Sequence, residues 1–152
     1  MLRLSKKSDY ALMAMKHLAT HVDRGALSAR EIAEQYDIPL ELMAKVLQRL
    51  ARGGLVASQQ GTRGGYHLTR SADRISVADV IQAIDGPVTV TACSTDEDTC
   101  DQYSKCNIRD PLWRVKDRIL AALNTFTISE IANDSDELAP VTVSRRTLAA
   151  RS

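Results

Sequence analysis

Residues 28–54, SAREIAEQYDIPLELMAKVLQRLARGG, decide the fold because they encode two short helices joined by a tight turn. Ser28 and Glu31 have the spacing of a capping box, in which each side chain satisfies a free backbone amide at a helix start. The turn falls at residues 37–38, and Pro39 suits the first position of the second helix, where its missing amide proton costs nothing. The pattern therefore predicts a helix-turn-helix.

The second helix of this pair is predicted to read DNA. It ends at residues 53–54, two glycines, and its outer face is polar and basic. In a helix-turn-helix the second helix enters the major groove, where its side chains reach base edges. The inner face is predicted to consist of Leu42, Val46, Leu47 and Leu50.

The next segment predicts a wing. LVASQQ (55–60) and GYHLTR (65–70) are short strand candidates around a glycine-rich turn that carries Arg63 at its tip. A nucleotide-binding phosphate loop is the alternative interpretation of GTRGG. It is disfavoured because no helix opens directly after the glycines and no GK[ST] follows.

The flanking segments predict further helices of the same domain, residues 1–87. Ser76 caps a short helix, VADVIQAID, which ends at residues 86–87, Gly-Pro. The first helix begins near Ser5 or Ser8 and runs to about residue 22. Its apolar residues at helical spacing are Leu12, Met15, Leu18, Ala19 and Val22. The predicted fold class is mainly α with a small β-hairpin, a winged helix-turn-helix.

Composition and charge are compatible with a DNA-binding protein. The 152 residues are 44% hydrophobic and 26% charged, and no apolar run is long enough to cross a bilayer. We therefore expect a cytoplasmic protein with no membrane partner, no small-molecule substrate and no catalytic residues. Residues 1–74 carry 12 Lys and Arg against 7 Asp and Glu, whereas residues 75–152 carry 8 against 12. The basic first half favours a polyanionic partner, with random surface scatter as the alternative.

All three cysteines, Cys93, Cys100 and Cys106, lie in residues 92–113, ACSTDEDTCDQYSKCNIRDPLW. In a reducing compartment, an odd number of clustered cysteines indicates metal or redox chemistry. The gaps of six and five residues are longer than the roughly two to four that are typical of structural zinc sites. Thiolates are natural ligands of iron–sulfur clusters. The negative charge of the carboxylates at residues 96–98 disfavours thiolates in the empty loop, so cluster iron must supply the positive charge that stabilises them. Zinc, redox-active thiols and ligand-free thiols are the alternatives.

With these motifs in this order, the chain resembles the Rrf2 family of bacterial iron–sulfur transcription regulators. The residues that carry the resemblance are LRLSKKSDYALMAMKHLA, GLVASQQGTRGGYHLTR, ISVADVIQAIDGP and the three cysteines before PLW. The opening MLRLSKKSDYA and the stretch GPVTVTACS are most similar to the branch that regulates the SUF iron–sulfur assembly operon. The resemblance covers about residues 1–133. It implies a cluster-sensing repressor of iron–sulfur assembly genes, with a [2Fe-2S] cluster expected rather than [4Fe-4S].

The resemblance also bears on the fourth cluster ligand. Some relatives place a histidine three residues after the last cysteine, where this chain has Arg109, which stays protonated and cannot ligate. In other relatives a carboxylate on the first helix of the partner subunit completes the site, and Asp9 occupies the matching position. The alternative role for Asp9 is that of a helix-start carboxylate stabilised by the helix dipole. His17, His21 and His67 are weaker candidates.

Residues 110–133 predict a dimerisation helix followed by a short helix. Asp110 is expected to cap the first of these helices, Pro111 to take its first turn, and Thr127 with Glu130 to cap the second. The first helix spans roughly 24 Å, which is long for an element of so small a domain. A seam between two subunits explains this length, with an intramolecular core helix as the alternative. The predicted seam residues are Leu112, Val115, Ile119 and Leu123.

These patterns together predict a homodimer that binds a two-fold operator in double-stranded DNA. The cysteine loop occupies residues 88–109, and a disordered tail is expected over residues 134–152. A winged-helix regulator that is stabilised by zinc, or that responds through thiol redox chemistry or nitric oxide, is the alternative function. The predicted DNA contacts are Ser28, Glu41, Ala44, Lys45, Gln48, Arg49, Arg52, Gln60, Arg63, Gly64 and Tyr66.

Overall fold

A computed structural model of the chain describes residues 3–90 and 100–134. The predicted disordered tail therefore lies, apart from Asp134, outside the described residues, as does Cys93. The helices are α1 Lys6–Thr20, α2 Ala29–Gln35, α3 Leu40–Arg52, α4 Val77–Asp85, α5 Arg109–Thr125 and α6 Ile128–Asn133. The strands are β1 Val56–Gln59 and β2 Gly65–Leu68, and single 3₁₀ turns lie at Val22–Arg24, Ala72–Arg74 and Tyr103–Lys105. This is the mainly α fold with a small hairpin that the sequence predicts.

The helix-turn-helix is formed by α2 and α3. Both halves of the predicted capping box are present: the Glu31 amide donates to Ser28 Oγ at 3.1 Å, and the Ser28 amide donates to Glu31 Oε2 at 3.1 Å. The turn places Asp37 in the left-handed region at φ 52°, and the Ile38 amide returns to the Ala33 carbonyl at 2.9 Å. Pro39 differs from the prediction, because its extended ψ of 132° makes it the N-cap of α3 rather than its first residue.

The buried faces of α1 and α3 correct two details of the prediction. On α3, Met43 is fully buried whereas Leu42 is only half-buried, since steps of about 100° per residue turn position 43 to the core. Val22 is 65% exposed because α1 ends at Thr20, two residues before it. The largest fully buried side chains are Met15, Leu27, Ile32, Met43, Leu47, Leu50, Ile75 and Ile128.

The wing is an antiparallel hairpin attached to the start of the helix-turn-helix. β1 pairs with β2 from Val56 opposite Leu68 to Gln59 opposite Gly65. Tyr66 also pairs with Leu27, since the Leu27 amide donates to the Tyr66 carbonyl at 2.9 Å and the Tyr66 amide donates back at 2.7 Å. A side chain at position 65 would collide with the Leu27 carbonyl, so this close approach requires glycine.

The C-terminal helices pack in different ways. α6 returns to the core: Thr127 and Glu130 form the predicted capping box, and Ile128 is fully buried. By contrast, no residue of α5 is buried. The prediction that Asp110 caps α5 is wrong, because the helix begins at Arg109 and Asp110 lies in its first turn, where its carboxylate accepts from the Arg109 guanidinium.

The C-terminal end of α4 joins three helices. The hydroxyls of Ser5, the N-cap of α1, and of Ser8 in its first turn both donate to Asp85 Oδ2, at 2.6 Å and 2.7 Å. Arg49 Nη1 of α3 donates to the Ile84 carbonyl at 2.9 Å. Partial burial opposes ionisation of Asp85, but the two serine hydrogen bonds and the nearby Arg49 charge outweigh it and lower the pKa of Asp85. We call these five residues the α4 junction. Gly86 follows it directly and leads toward the cysteines.

Across residues 3–90 and 100–134, no helix has both the length and the apolar character that a bilayer crossing requires.

Candidate DNA interface and cysteine loop

The outer face of α3 carries most of the predicted reading residues in one stripe. Glu41, Lys45, Gln48 and Arg52 follow one another at intervals of three or four residues, and all four are exposed. Ala44 is half-buried at the edge of this stripe. An α-helix is roughly 10–12 Å across with its side chains, which matches a major groove about 12 Å wide, and α3 has 13 residues to place along it.

Arg49 lies on the flank of α3 and belongs to the α4 junction. Its Nη1 donates to the Ile84 carbonyl. A guanidinium has five N–H donors, so this bond leaves others for the phosphate contact that the sequence predicts. The hydrogen bond to Ile84 therefore holds the Arg49 side chain in place within the domain.

The wing turn presents Gln60 and Arg63 to solvent. Its shape depends on glycine: the Gly64 amide donates to the Gly61 carbonyl at 2.9 Å, and a side chain at position 64 would press on the Gln59 carbonyl. Arg63 forms no ion pair with any carboxylate in the described part of the chain. The guanidinium charge at the turn is thus available to a polyanion.

Two other predicted DNA contacts have structural roles. The Ser28 hydroxyl is engaged in the capping box of α2. The Tyr66 side chain is half-buried and packs against the core, and its backbone pairs with Leu27. A DNA contact from either residue remains a prediction.

The cysteine loop is partly described. Cys100 and Cys106 are half-buried free thiols on either side of the Tyr103–Lys105 turn, and Cys100 Sγ lies 3.9 Å from Gln102 Oε1. Residues 3–90 and 100–134 contain no group of three Cys, His, Asp or Glu side chains placed to hold a metal ion. Cys93, the third predicted ligand, lies outside the described residues, so its place in a metal site stays a prediction.

Arg109 attaches this loop to the start of α5. Its guanidinium donates to the Tyr103 carbonyl at 3.2 Å and to Asp110 Oδ1 at 3.1 Å, and it lies 4.6 Å from the centre of the Tyr103 ring. The hydrogen bond with Asp110 raises the pKa of Arg109, so the side chain stays protonated and cannot be a ligand. Its role is to hold the residues between the two thiols.

The candidates for a fourth ligand lie in different surroundings. Asp9 is half-buried in the first turn of α1, and its predicted role across a dimer stays a prediction. His17 is only 6% exposed, its Nδ1 lies 2.8 Å from the Tyr36 hydroxyl, and its ring stacks on His21 at 4.2 Å. Burial, together with His21 and Arg24, lowers the pKa of His17. These surroundings make His17 a core residue between α1 and α2 rather than a ligand.

The predicted seam residues of α5 are incompletely covered. Val115 is 44% exposed, and Leu112, Ile119 and Leu123 are half-buried. Ile119 and Leu123 also line an open cavity of about 660 Å³ between α5, the end of α4 and the start of α1.

Comparison with known proteins identifies the family. A family model described as an iron-dependent transcriptional regulator, Rrf2, matches residues 4–134. The chain belongs to the Rrf2 family. It is 38% identical over 138 residues to the HTH-type transcriptional regulator IscR of Pectobacterium carotovorum, covering 90% of this chain and 83% of the relative. Over the same length it is 37% identical to IscR of Yersinia pseudotuberculosis.

Solved structures of regulators share the fold. CymR, the global cysteine regulator of B. subtilis, superimposes with a TM-score of 0.71 at 27% identity, over 90% of this chain and 100% of CymR. T. potens IscR superimposes with a TM-score of 0.69 at 28% identity, over 90% of each chain. The Rrf2 protein described here is therefore a winged-helix transcription regulator that binds DNA, and it is not an enzyme.

Two features of this Rrf2 protein were not predicted from its sequence. Lys7 lies beside the flank of α3 and was not among the predicted DNA contacts. The two adjacent lysines at the start of α1, Lys6 and Lys7, are the sequence feature that indicates a basic surface there. The pairing of Ser5 and Ser8 with Asp85 was also unforeseen. Those residues are about 80 positions apart, and no local pattern indicates such a contact.

We expect substitutions in the wing and in the reading helix of this Rrf2 protein to weaken DNA binding in different ways. Arg63→Ala removes an electrostatic contact, so it should weaken binding to operator and scrambled duplexes alike. The slope of log K against log salt concentration should flatten by about 0.9 for each phosphate that is no longer neutralised. Gln48→Ala, if Gln48 contacts a base, should cost roughly 1–3 kcal/mol on the operator and little on scrambled DNA. Salt titrations of both variants on both duplexes measure these effects.

Thr62→Ala is the matched control for the wing, since Thr62 is an exposed, uncharged neighbour in the same turn. It should bind like the wild type. If Arg63→Ala also leaves the affinity and the salt slope unchanged, residues 61–64 are not a DNA-binding wing.

Proposed function

We propose that this Rrf2 protein is a homodimeric regulator that senses iron–sulfur cluster status and represses iron–sulfur assembly genes from the cytoplasm. The observation that carries the proposal is the trio Cys93, Cys100 and Cys106 between α4 and α5, in a chain 38% identical to IscR. The cluster is of the [2Fe-2S] type in this proposal.

The donor set fits an iron–sulfur cluster. Cys100 and Cys106 are free and half-buried, so they are shielded in part from solvent without being locked into the core. A redox disulfide uses two cysteines, whereas this segment has three. Thiolate is the ligand that iron–sulfur clusters require. When bound, the cluster supplies iron charge that stabilises the thiolates in a loop rich in carboxylates. Asp9 of the partner subunit is the proposed fourth ligand.

The α4 junction supplies a route from the cysteine loop to DNA. Gly86 follows the junction directly, and the loop begins at residue 88. The Ile84 carbonyl holds Arg49 of the reading helix, and Asp85 holds the start of α1. A change in the loop that shifts the end of α4 therefore reaches α3 through one hydrogen bond. Cluster state and operator affinity are then linked as two sites of one equilibrium.

The uncovered stripe of α5 supports the homodimer. A helix with no buried residue and an apolar face gains stability by packing against a second copy. A two-fold dimer presents two α3 helices and two wings, so its operator has two half-sites separated by about one or more helical turns.

A cluster-free thiol regulator is the second candidate. It is favoured by the likeness to CymR, which is described as a global cysteine regulator and superimposes over its whole length. In this case the cysteines respond to thiol redox state or nitric oxide directly, or hold zinc, and the purified protein is colourless. The family alone does not separate the two candidates, whereas the cofactor content does.

We expect the anaerobically purified protein to be brown, with iron and acid-labile sulfide in equal amounts. Cys93→Ser, Cys100→Ser and Cys106→Ser should each abolish most of the visible absorption, because a serine hydroxyl is a poor substitute for a thiolate ligand. Ser104→Ala, in the same loop, is the control and should stay brown. A colourless wild type with stoichiometric zinc would refute the iron–sulfur proposal.

We expect Val115→Arg to convert the dimer into a monomer, because it places an unpaired charge in an apolar seam. Val115 is already 44% exposed within one chain, so the substitution should leave the monomer folded. Ala121→Arg introduces the same charge on the opposite face of α5, about 120° or more from the stripe, and should stay dimeric. Sedimentation velocity with circular dichroism measures both properties, and a dimeric Val115→Arg protein would contradict the seam.

A further inference from the structure

A small basic pocket lies beside the reading helix. It has a volume of about 210 Å³ and is formed where the first turn of α1 approaches the flank of α3. Leu42 and Val46 contribute apolar surface. The other lining residues are Lys7, Lys45, Gln48, Arg49 and Arg52. Four of these five polar residues are cations, and they come from two different helices.

The cations of this pocket lack compensating carboxylates. Within residues 3–90 and 100–134, neither the two lysines nor the two arginines of the pocket form an ion pair. The Arg49 charge helps to lower the pKa of Asp85, but the two do not form an ion pair, and Asp85 Oδ2 accepts from Ser5 and Ser8 instead. Gathering four positive charges without counterions opposes folding, so the arrangement is best explained by an anion that binds there.

The size and position of the pocket identify the anion. About 210 Å³ suits a phosphate group rather than a whole nucleotide, and small-molecule pockets are usually larger, at roughly 300 Å³ or more. Lys45 and Gln48 belong both to the pocket and to the outer face of α3, so the pocket opens next to the predicted reading surface. When a helix lies in the major groove, the groups flanking it are the backbone phosphates at the groove edge.

We infer that this pocket binds one phosphodiester of the DNA backbone, and that Lys7 is a DNA contact that positions the reading helix. The inference rests on the proposed insertion of α3 into the major groove. Lys7 reaches the phosphate from α1, whereas Lys45, Arg49 and Arg52 reach it from α3. Because the two helices are also joined through the end of α4, the phosphate and the α4 junction hold the same pair of elements.

Lys6 is a matched control for Lys7. The two lysines are adjacent in the first turn of α1 and both are exposed. Lys6 does not line the pocket, and its Nζ lies 5.4 Å from the centre of the Tyr10 ring. Lys6→Gln and Lys7→Gln therefore remove the same charge from the same helix turn, and only the second removes it from the pocket.

The test consists of salt titrations of the wild-type chain, Lys6→Gln and Lys7→Gln. Each protein is titrated on two duplexes, one that the wild type selects from random sequence and a scrambled one. Lys7→Gln should weaken both and flatten the slope, by at most about 0.9 for each subunit because three other cations still face the same phosphate, while Lys6→Gln keeps the wild-type slope. Equal slopes for the two variants would overturn the inference. If the selection with the wild type enriches no duplex, the proposed DNA-binding surface itself fails, which is a different result.

Two further arms locate the phosphate and its source. Single methylphosphonate substitutions, which neutralise one phosphate at a time, should include one position per half-site that weakens Lys7→Gln clearly less than the wild type, since Lys45, Arg49 and Arg52 still reach that phosphate in the variant. The absence of such a position would contradict a direct contact. Titration with inorganic phosphate at constant ionic strength tests for a free anion, and the inference fails if Lys7→Gln loses binding of inorganic phosphate while keeping wild-type DNA affinity and slope.

Discussion

The hydrogen bonds at the end of α4 hold the functional parts of this Rrf2 protein together. Asp85 accepts from two hydroxyls of α1, and the carbonyl of the preceding residue, Ile84, accepts from Arg49 of the reading helix. Ser8 is fully buried whereas Asp85 is exposed, so one end of this charge-assisted hydrogen bond is shielded from water. The junction fixes where α1 and α3 lie relative to the point at which the chain leaves for the cysteine loop.

This placement shows how a small domain could combine DNA binding with the sensing that we propose. The winged core is closed by its own apolar residues, including Ile128 of α6, and does not depend on α5 for burial. α5 is therefore available for a partner subunit, and the cysteine loop connects the two parts. Arg109 anchors one end of the loop to α5, while the junction anchors the other end to the reading helix. In the proposed function, a change in ligation of the loop acts on both anchors, which is the requirement for linkage between cluster and DNA.

Local patterns in the sequence predicted most of the fold. The capping boxes at Ser28 and Thr127 and the wing around residues 61–64 depend on neighbours three to six positions apart, and the structure contains all of them. The predicted N-cap of α5, Asp110, was wrong, because Asp110 pairs with Arg109 and the N-cap is Ile108, two residues earlier. Contacts between distant segments, such as Ser8 with Asp85, leave no periodic signal. The proposed cluster residues were predicted from thiol chemistry and family resemblance, and they stay a prediction because Cys93 lies outside the described residues and the proposed fourth ligand belongs to a second subunit.

The central claim is that the cysteine loop controls the reading helix. It is tested most directly by the operator affinity of anaerobically purified protein, measured at one salt concentration before and after removal of its cluster. We expect the two forms to differ by roughly tenfold, about 1.4 kcal/mol, on the operator while binding scrambled duplex equally. The difference should shrink in Arg49→Lys, since a lysine cannot reproduce the geometry of a guanidinium bond to the Ile84 carbonyl. Identical operator affinities for the two wild-type forms would contradict this control.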